Sequence, residues 1–235
     1  GMLIFIWSND LIVTFVGLEL MSLCLYVLIA MSAEEKVSKE AAFKYFVLGS
    51  FASAIFLYGI SFIYGTAGST YLPDLHNVGA NLISTNRLFL MGFVLLLVGT
   101  LFKISAFPFH AWTPDVYQGS PTPISGFMAT GVKAATLAFF LRIMASQTLL
   151  AERAWPLVNV LQWLAVLTIV IGNVGAVRQQ SLKRMLAYSS IAHSGYVMIG
   201  LIAAGVDGEN LVGASGVMFY IFAYALMTAG AFGVL

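Results

Sequence analysis

Long runs of apolar residues divide the chain into segments of membrane-spanning length. A helix needs about 20 mainly apolar residues to cross the hydrocarbon core of a bilayer. After a short apolar stub at Met2–Trp7, seven runs reach about that length: Leu11–Met31, Ala41–Tyr64, Leu88–Trp112, Pro121–Ser146, Pro156–Val177, Met185–Gly205 and Leu211–Leu235. No stretch alternates between apolar and polar residues as a half-buried strand does. The pattern predicts an all-α, polytopic transmembrane helix bundle that forms a single domain over residues 1–235.

The composition favours a membrane protein over a soluble one. Hydrophobic residues make up 60% of the chain and charged residues 9%, whereas an ordinary soluble domain is about 25% charged. The net charge of +1 comes without a basic patch of the kind that nucleic acid requires, so we expect the lipid bilayer and no nucleic acid as a partner. Apolar residues continue to both ends, and we therefore expect a fragment cut within helices.

Basic residues concentrate on one side of the predicted topology. The loops after the first and fifth runs carry Lys36, Lys39, Lys44, Arg178, Lys183 and Arg184. The loops of the other side carry Arg87, Arg142 and Arg153, together with Asp207 and Glu209 in the last of them. Because short basic loops remain in the cytoplasm, the loops after the first, third and fifth runs are predicted to be cytoplasmic.

Three ionisable residues lie near the middle of predicted spans: Glu19, Lys103 and Lys133. A charge there costs roughly 2.5–3.5 kcal/mol on insertion scales, so each needs a partner, a hydrated cavity or a neutral form. One reading is a structural ion pair. The other is an ion pathway, and it is favoured because two lysines share one glutamate. Since desolvation disfavours a charged ammonium group, the lysine without a carboxylate can lose and regain a proton.

Polar side chains at helical spacing accompany these charges. The sets that share a face are Glu19, Ser22 and Tyr26; Gly126, Thr130 and Lys133; and Ser189 or Ser190 with His193 and Tyr196. Any single hydroxyl can equally bond its own helix or join two helices. His193, with Tyr196, is therefore either a proton relay or a hydrogen-bonded core residue. His110 is either a second titrating group or a residue of the membrane interface.

Pro108 interrupts the third run five residues after Lys103. Proline removes a backbone hydrogen bond, here near Ile104, and kinks or breaks the helix. Freed carbonyl groups at membrane depth are tolerated only inside protein or beside water, and transporters place such broken helices at their ion sites. We interpret Pro108 as a functional helix break, the alternative being a simple bend. Trp112, just beyond it, is interpreted as an interface anchor.

Four stretches of the sequence resemble the N-type, antiporter-like membrane subunits of bacterial NADH–quinone oxidoreductase (respiratory complex I). They are Gly17–Leu23, Lys44–Ser50, Phe102–Pro123 and Tyr188–His193, and the resemblance extends over essentially the whole chain. The run Asp115–Pro123, which reads DVYQGSPTP, is the most specific part. The resemblance implies an antiporter-like fold of inverted helix repeats with a broken helix. The resemblance also implies that the fold is incomplete in this chain, because the lysine of the second repeat's broken helix would lie beyond Leu235.

The resemblance also implies a function in proton translocation. Glu19 matches the glutamate that pairs with a lysine, Lys103 matches that lysine on the broken helix, and Lys133 matches the central lysine of the next helix. The chain would then be a non-redox subunit of a translocating enzyme, beside other membrane-arm subunits in the bacterial inner (plasma) membrane. The resemblance places NADH, FMN, iron–sulfur clusters and quinone in other subunits, so we expect no cofactor or metal in this chain.

Three other functions remain open from the sequence. A cation/proton antiporter subunit of Mrp type shares the fold and the lysines. A metabolite transporter of inverted-repeat design requires a central pocket with varied hydrogen-bonding groups, which three deep charges do not supply. A purely structural membrane subunit would hold its charges locked in salt bridges.

Overall fold

The structure, a computed structural model, describes residues 1–31, 36–145, 155–206 and 212–235. The predicted features at Ser146, Arg153, Asp207, Glu209 and Leu211 lie outside these ranges. The helices, in chain order, are α1 (Met2–Trp7), α2 (Leu11–Ala30), α3 (Lys36–Ala67), α4 (Leu72–Thr85), α5 (Arg87–Lys103), α6 (Trp112–Gly119), α7 (Thr122–Phe127), a π-helical turn (Met128–Val132), α8 (Lys133–Ala145), α9 (Trp155–Val177), α10 (Leu182–Val206) and α11 (Val212–Gly233). The predicted all-α class is confirmed.

Six helical segments of the described ranges are long and apolar enough to cross a membrane. They are Leu11–Ala30, Lys36–Ala67, Thr122–Met144, Pro156–Val177, Leu182–Gly205 and Val212–Gly233. These segments correspond to six of the seven predicted runs. The third run, Leu88–Trp112, is divided as its predicted break requires, since α5 ends at Lys103 and a new helix begins at Trp112.

The short helix α4 was not predicted. Its 14 residues are too few to span a membrane, and several of them are polar, so the hydropathy pattern does not reveal it. Pro73 occupies the first turn, where the missing N–H group has no intrahelical partner to lose. Leu75 and Ile83 are buried against the bundle.

Close helix crossings position the broken helix and its neighbours. A Cβ atom added to Gly59 of α3 would lie 2.6 Å from the Gly92 carbonyl oxygen of α5. A Cβ atom on Gly172 of α9 would lie 2.5 Å from the backbone nitrogen of Ala192 on α10. Small residues let transmembrane helices approach this closely, which strengthens packing where burial alone gives no drive. These contacts fix α5 relative to α3, and α10 relative to α9.

The loops predicted to share one side of the membrane meet at one end of the bundle. Asp115 accepts hydrogen bonds from Lys44 Nζ at 3.1 Å and from Arg184 at 2.7 Å. Lys183 Nζ donates to the Ser120 carbonyl group at 3.1 Å. Arg142, which was predicted to lie on the other side, does not join these groups. It donates to the carbonyl groups of residues 6 and 8. The assignment of the basic end to the cytoplasm stays a prediction.

Candidate functional site

The helix α5 ends in a Schellman motif directly after Lys103. The backbone N–H of Ser105 donates to the Phe102 carbonyl at 3.1 Å, and that of Ala106 donates to the Leu101 carbonyl at 3.0 Å. Ser105 takes the left-handed conformation of this motif, with φ at 62°, which is uncommon for a residue other than glycine. Its buried hydroxyl accepts a hydrogen bond from Thr113 at 2.6 Å. Tertiary contact thus fixes the point at which the helix stops.

The backbone groups freed by the break are bonded by neighbouring elements. The Ile104 carbonyl accepts from Ser194 Oγ of α10 at 2.6 Å. The Phe107 N–H donates to Thr168 Oγ1 of α9 at 3.0 Å. The freed carbonyl expected near Ile104 is therefore present, although the helix ends there rather than bending at Pro108. The break consists of residues 104–111, which precede α6.

The interpretation of Trp112 as an interface anchor was wrong. Its side chain is 4% exposed, and its indole N–H donates to the Phe102 carbonyl at 3.2 Å. The ring packs against Tyr45 with ring centroids 4.6 Å apart. A tryptophan fits both the membrane–water interface and a buried site where its N–H finds an acceptor. The sequence alone does not distinguish these two positions.

Lys103 is 2% exposed and lies in the last turn of α5. Its Nζ atom donates to Ser22 Oγ of α2 at 2.7 Å and lies 5.2 Å from the centroid of the Tyr45 ring. Both the ring face and the C-terminal end of the helix favour a cation at this point. A buried lysine is thereby held without a carboxylate in direct contact.

Glu19 does not form the direct ion pair that was predicted with Lys103. Within the described residues, salt bridges join only surface groups: Lys44 with Glu40 and Asp115, and Arg184 with Asp115. Glu19 lies one helical turn before Ser22, and its buried Oε1 has no hydrogen-bond partner. Ser22, rather than the Glu19 carboxylate, accepts the hydrogen bond of Lys103. A functional Glu19–Lys103 pair stays a prediction.

Lys133 is held by three neutral oxygen atoms of α10. Its Nζ donates to the Ser190 carbonyl at 2.6 Å, to Ser190 Oγ at 2.6 Å and to Ser194 Oγ at 3.0 Å. An ammonium group has three hydrogen atoms to donate, so all are used. Lys133 is 2% exposed and has no carboxylate partner among the described residues. The sequence predicted one lysine without a carboxylate, whereas in the described part of the structure neither Lys103 nor Lys133 has one in direct contact.

A π-helical turn, Met128–Val132, directly precedes Lys133. Such turns add a residue to a helix and are frequent at functional sites. Thr130, predicted to share a face with Lys133, instead donates to the Gly126 carbonyl of its own helix at 2.8 Å. The sequence showed no signal for this turn.

The histidines differ in their surroundings. His193 Nδ1 lies 2.6 Å from the Tyr220 hydroxyl, and the His193 ring packs on Tyr224 with centroids 4.7 Å apart. Tyr224 in turn donates to Ser190 Oγ at 2.9 Å. Tyr196 is 39% exposed and accepts from the side-chain amide of Asn173. Its ring also lies edge-on to the His193 ring, with centroids 5.6 Å apart. Tyr220 and Tyr224 were missed, because their helix shows only an apolar pattern.

His110 lies within the break, in residues 104–111, and its buried Nδ1 atom has no hydrogen-bond partner. Its assignment as a titrating group or an interface residue stays open. No three His, Cys, Asp or Glu side chains in the described ranges are grouped to hold a metal ion. The chemistry present is that of two buried ammonium groups near a helix break. Lys103 donates to Ser22, and Lys133 donates to Ser190 and Ser194.

Known proteins share the sequence pattern and the architecture of this chain. Residues 8–235 match the family described as NADH:quinone oxidoreductase/Mrp antiporter, TM. The protein named NADH-quinone oxidoreductase subunit N of Bdellovibrio bacteriovorus is 56% identical over 234 residues, which are 100% of this chain and 48% of that protein. The chain thus spans about half the length of this curated relative.

Solved structures agree with this assignment. A chain of respiratory complex I from Thermus thermophilus is 41% identical, with a TM-score of 0.83 over 100% of this chain and 48% of that one. A chain of the Mrp complex from Dietzia sp. shares the fold, with a TM-score of 0.82 at 23% identity over 95% of this chain and 40% of that one. The fold is therefore antiporter-like, and this chain belongs to the NADH:quinone oxidoreductase/Mrp antiporter transmembrane family.

Proposed function

We propose that this chain is part of a proton-translocating membrane-arm subunit of NADH–quinone oxidoreductase in a bacterial inner membrane. It works with other membrane-arm subunits and performs no redox step itself, since NADH, FMN, iron–sulfur clusters and quinone belong to other subunits. Glu19, Lys103 and Lys133 hold and pass the proton. The observation that carries this proposal is the environment of Lys133, a buried lysine with only neutral oxygen partners.

The neutral environment of Lys133 is suited to reversible protonation. A lysine locked to a carboxylate stays charged, because an opposite charge within about 4–6 Å favours the charged form. Lys133 has hydrogen-bond acceptors and no such charge among the described residues. A purely structural subunit with its charges in salt bridges is disfavoured for the same reason.

Lys103 and Glu19 supply the step that responds to the rest of the complex. In the structure, Lys103 donates to Ser22, and the carboxylate of Glu19 lies one turn away with an unpartnered oxygen. A small movement of α5 against α2 would exchange Ser22 for Glu19 as the acceptor. Contact with Glu19 favours proton uptake by Lys103, and its loss favours release toward Lys133. Redox chemistry elsewhere in the complex drives this exchange.

Substitution of Lys103 in the complete complex tests the proposal. Lys103→Ala should lower the number of protons translocated per electron pair in sealed vesicles. Lys103→Arg should also lower it, because a guanidinium group stays protonated. Wild-type stoichiometry in both variants would rule out a role for Lys103 in translocation.

A cation/proton antiporter subunit of Mrp type is the second candidate. The family description includes Mrp antiporters, and the Dietzia Mrp chain shares the fold. The two candidates differ in their energy source. Sodium-dependent proton exchange in vesicles that contain the full assembly, measured without NADH, would favour the antiporter.

A further inference from the structure

Ser194 lies between Lys133 and the end of the helix that carries Lys103. Its hydroxyl accepts from Lys133 Nζ at 3.0 Å and donates to the Ile104 carbonyl at 2.6 Å. Ser194 is 2% exposed and Ile104 is 0% exposed. The hydroxyl also lies 3.1 Å from the Ser190 carbonyl of its own helix. The contact across to the helix break is therefore the shorter of its two possible donations.

Counting hydrogen atoms shows why this contact depends on the proton of Lys133. The charged ammonium group donates three hydrogen bonds and accepts none, and a serine hydroxyl has one hydrogen atom. While Lys133 is charged, Ser194 must direct its hydrogen away from Nζ, and the Ile104 carbonyl receives it. When Lys133 loses its proton, the neutral amine gains a lone pair that can accept a hydrogen bond from the Ser194 hydroxyl. The Ile104 carbonyl then loses its donor.

We propose that Ser194 is a positioning residue that couples the proton on Lys133 to the conformation of the helix break beside Lys103. With Lys133 charged, Ser194 holds the break in the observed form. With Lys133 neutral, the O–H group turns to Nζ, the Ile104 carbonyl is released, and the end of α5 loosens. Ser194 keeps its own proton throughout, since only the direction of its O–H bond changes. This inference rests on the proposed function, because it assumes that Lys133 changes its proton state.

Other titratable groups surround this contact and must be separated from Lys133. Lys103 lies on α5, Tyr117 on α6 and Tyr224 on α11, with Tyr117 and Tyr224 both interacting with Ser190. His193 lies on α10 itself, close enough to be affected by the charge of Lys133. A pH response that arises from any of these four groups would persist after Lys133 is replaced. The variant Lys133→Met therefore shows whether Lys133 is the group whose titration produces the pH response.

Hydrogen–deuterium exchange of the complete complex tests the coupling. The amide groups to follow are those of Ser105 and Ala106, which bond Phe102 and Leu101 at the break. Their protection factors, corrected for the intrinsic effect of pH, should fall about tenfold between about pH 6 and pH 9, the size expected for loss of one buried hydrogen bond. Ser194→Ala and Lys133→Met should each abolish this pH dependence.

Two further variants control for folding and for general loss of hydroxyl groups. Ser194→Cys keeps the side-chain size with a weaker donor and should reduce the pH dependence even if Ser194→Ala fails to assemble. Thr136→Val removes a buried hydroxyl one turn from Lys133 that donates to the Val132 carbonyl of its own helix, and it should behave as wild type.

The inference is overturned if the wild type shows no pH dependence, if Lys133→Met retains it, or if the assembled Ser194 variants retain it in full. Proton translocation by the same variants is a separate measurement. Unchanged proton stoichiometry in Lys133→Met would reject the proposed function, whereas a pH dependence of protection that the Ser194 variants retain in full rejects only the coupling.

Discussion

The Lys103 ammonium group donates a hydrogen bond of 2.7 Å to Ser22 Oγ, across the interface between α5 and α2. The Ser22 hydroxyl in turn donates a hydrogen bond to the Leu18 carbonyl of α2 at 2.6 Å. A buried cation is thus held by a neutral acceptor, with the carboxylate of Glu19 one turn earlier in the same helix. This arrangement keeps the contact exchangeable, because Lys103 can leave a hydroxyl at lower cost than it could leave a bonded carboxylate.

Replacing Ser22 should disturb Lys103 specifically. Ser22→Ala removes a hydrogen bond to a charged group, worth about 1.5–3 kcal/mol, and directs Lys103 toward Glu19. We expect roughly a tenfold or larger fall in the rate of proton translocation, the fold-change to which about 1.5–3 kcal/mol corresponds. Translocation is measured with a pH-sensitive dye in vesicles that contain the complex.

The matched control for Ser22 is Thr100→Val on α5. The Thr100 hydroxyl is buried close to Lys103 in sequence and donates to the Leu96 carbonyl of its own helix at 3.0 Å. Near wild-type translocation is expected in this variant. An equal loss in both variants would show that the effect reflects packing and not the partner of Lys103.

Trp112 should stabilise the two halves of the broken helix against each other. Trp112→Phe keeps most of the buried ring and loses one neutral hydrogen bond to Phe102, worth about 0.5–1.5 kcal/mol. Trp112→Ala loses the packing as well, at about 3–5 kcal/mol. Thermal unfolding of the purified complex, followed with a thiol-reactive dye, should rank the alanine variant well below the phenylalanine variant. A reversed or equal ranking would contradict this role.

Asp115 gives the basic end of the bundle a predictable pH dependence. Burial raises the pKa of its carboxyl group, but hydrogen bonds and charge from Lys44 and Arg184 outweigh this and hold the pKa below 3.8. Because the folded pKa is lowered, the stabilising contribution is fully present above the unfolded pKa and is lost as the pH falls through the folded value. Asp115→Asn should therefore lower stability by a constant amount between pH 5 and pH 8.

The control for Asp115 is Glu40→Gln. Glu40 also pairs with Lys44, but its side chain is 64% exposed, and exposed pairs contribute little. The midpoint of thermal unfolding should change little in this variant. A pH-dependent difference between Asp115→Asn and wild type within pH 5–8 would show that Asp115 titrates there and would contradict the lowered pKa.

The crossing of α9 and α10 predicts a sharp contrast between two glycines. Gly172→Ala places a methyl group 2.5 Å from a backbone nitrogen of α10, which cannot yield as a side chain does, so we expect a loss of at least about 1–3 kcal/mol. Gly65→Ala on α3 meets nothing within 4 Å and should be neutral or stabilise by up to about 1 kcal/mol. The thermal midpoints of the two variants test this contrast.

The sequence predicted the features that stand out against an apolar background. Glu19, Lys103 and Lys133 were found because a charge within a long apolar run is costly and therefore visible. The break beyond Lys103 followed from Pro108, since proline cannot continue the backbone hydrogen-bonding pattern. These are local properties of the chain, and no tertiary contact is needed to detect them.

The remaining features depend on contacts between distant residues. Ser194 looks like any helical serine until the structure places it against Ile104, which is 90 residues earlier. The sequence does not indicate that the Trp112 indole bonds the Phe102 carbonyl rather than lying at the membrane interface. The π-helical turn before Lys133 arises from packing and leaves no mark on the apolar pattern. The sequence shows which residues are polar, but it does not show which partner each of them bonds.

The central claim is that a buried lysine without a carboxylate partner passes protons. The most direct test is the number of protons translocated per electron pair by the complete complex that carries Lys133→Met, measured in sealed vesicles beside the rate of quinone reduction. The predicted result is a lower ratio in a fully assembled complex. A wild-type ratio in that variant would contradict the claim.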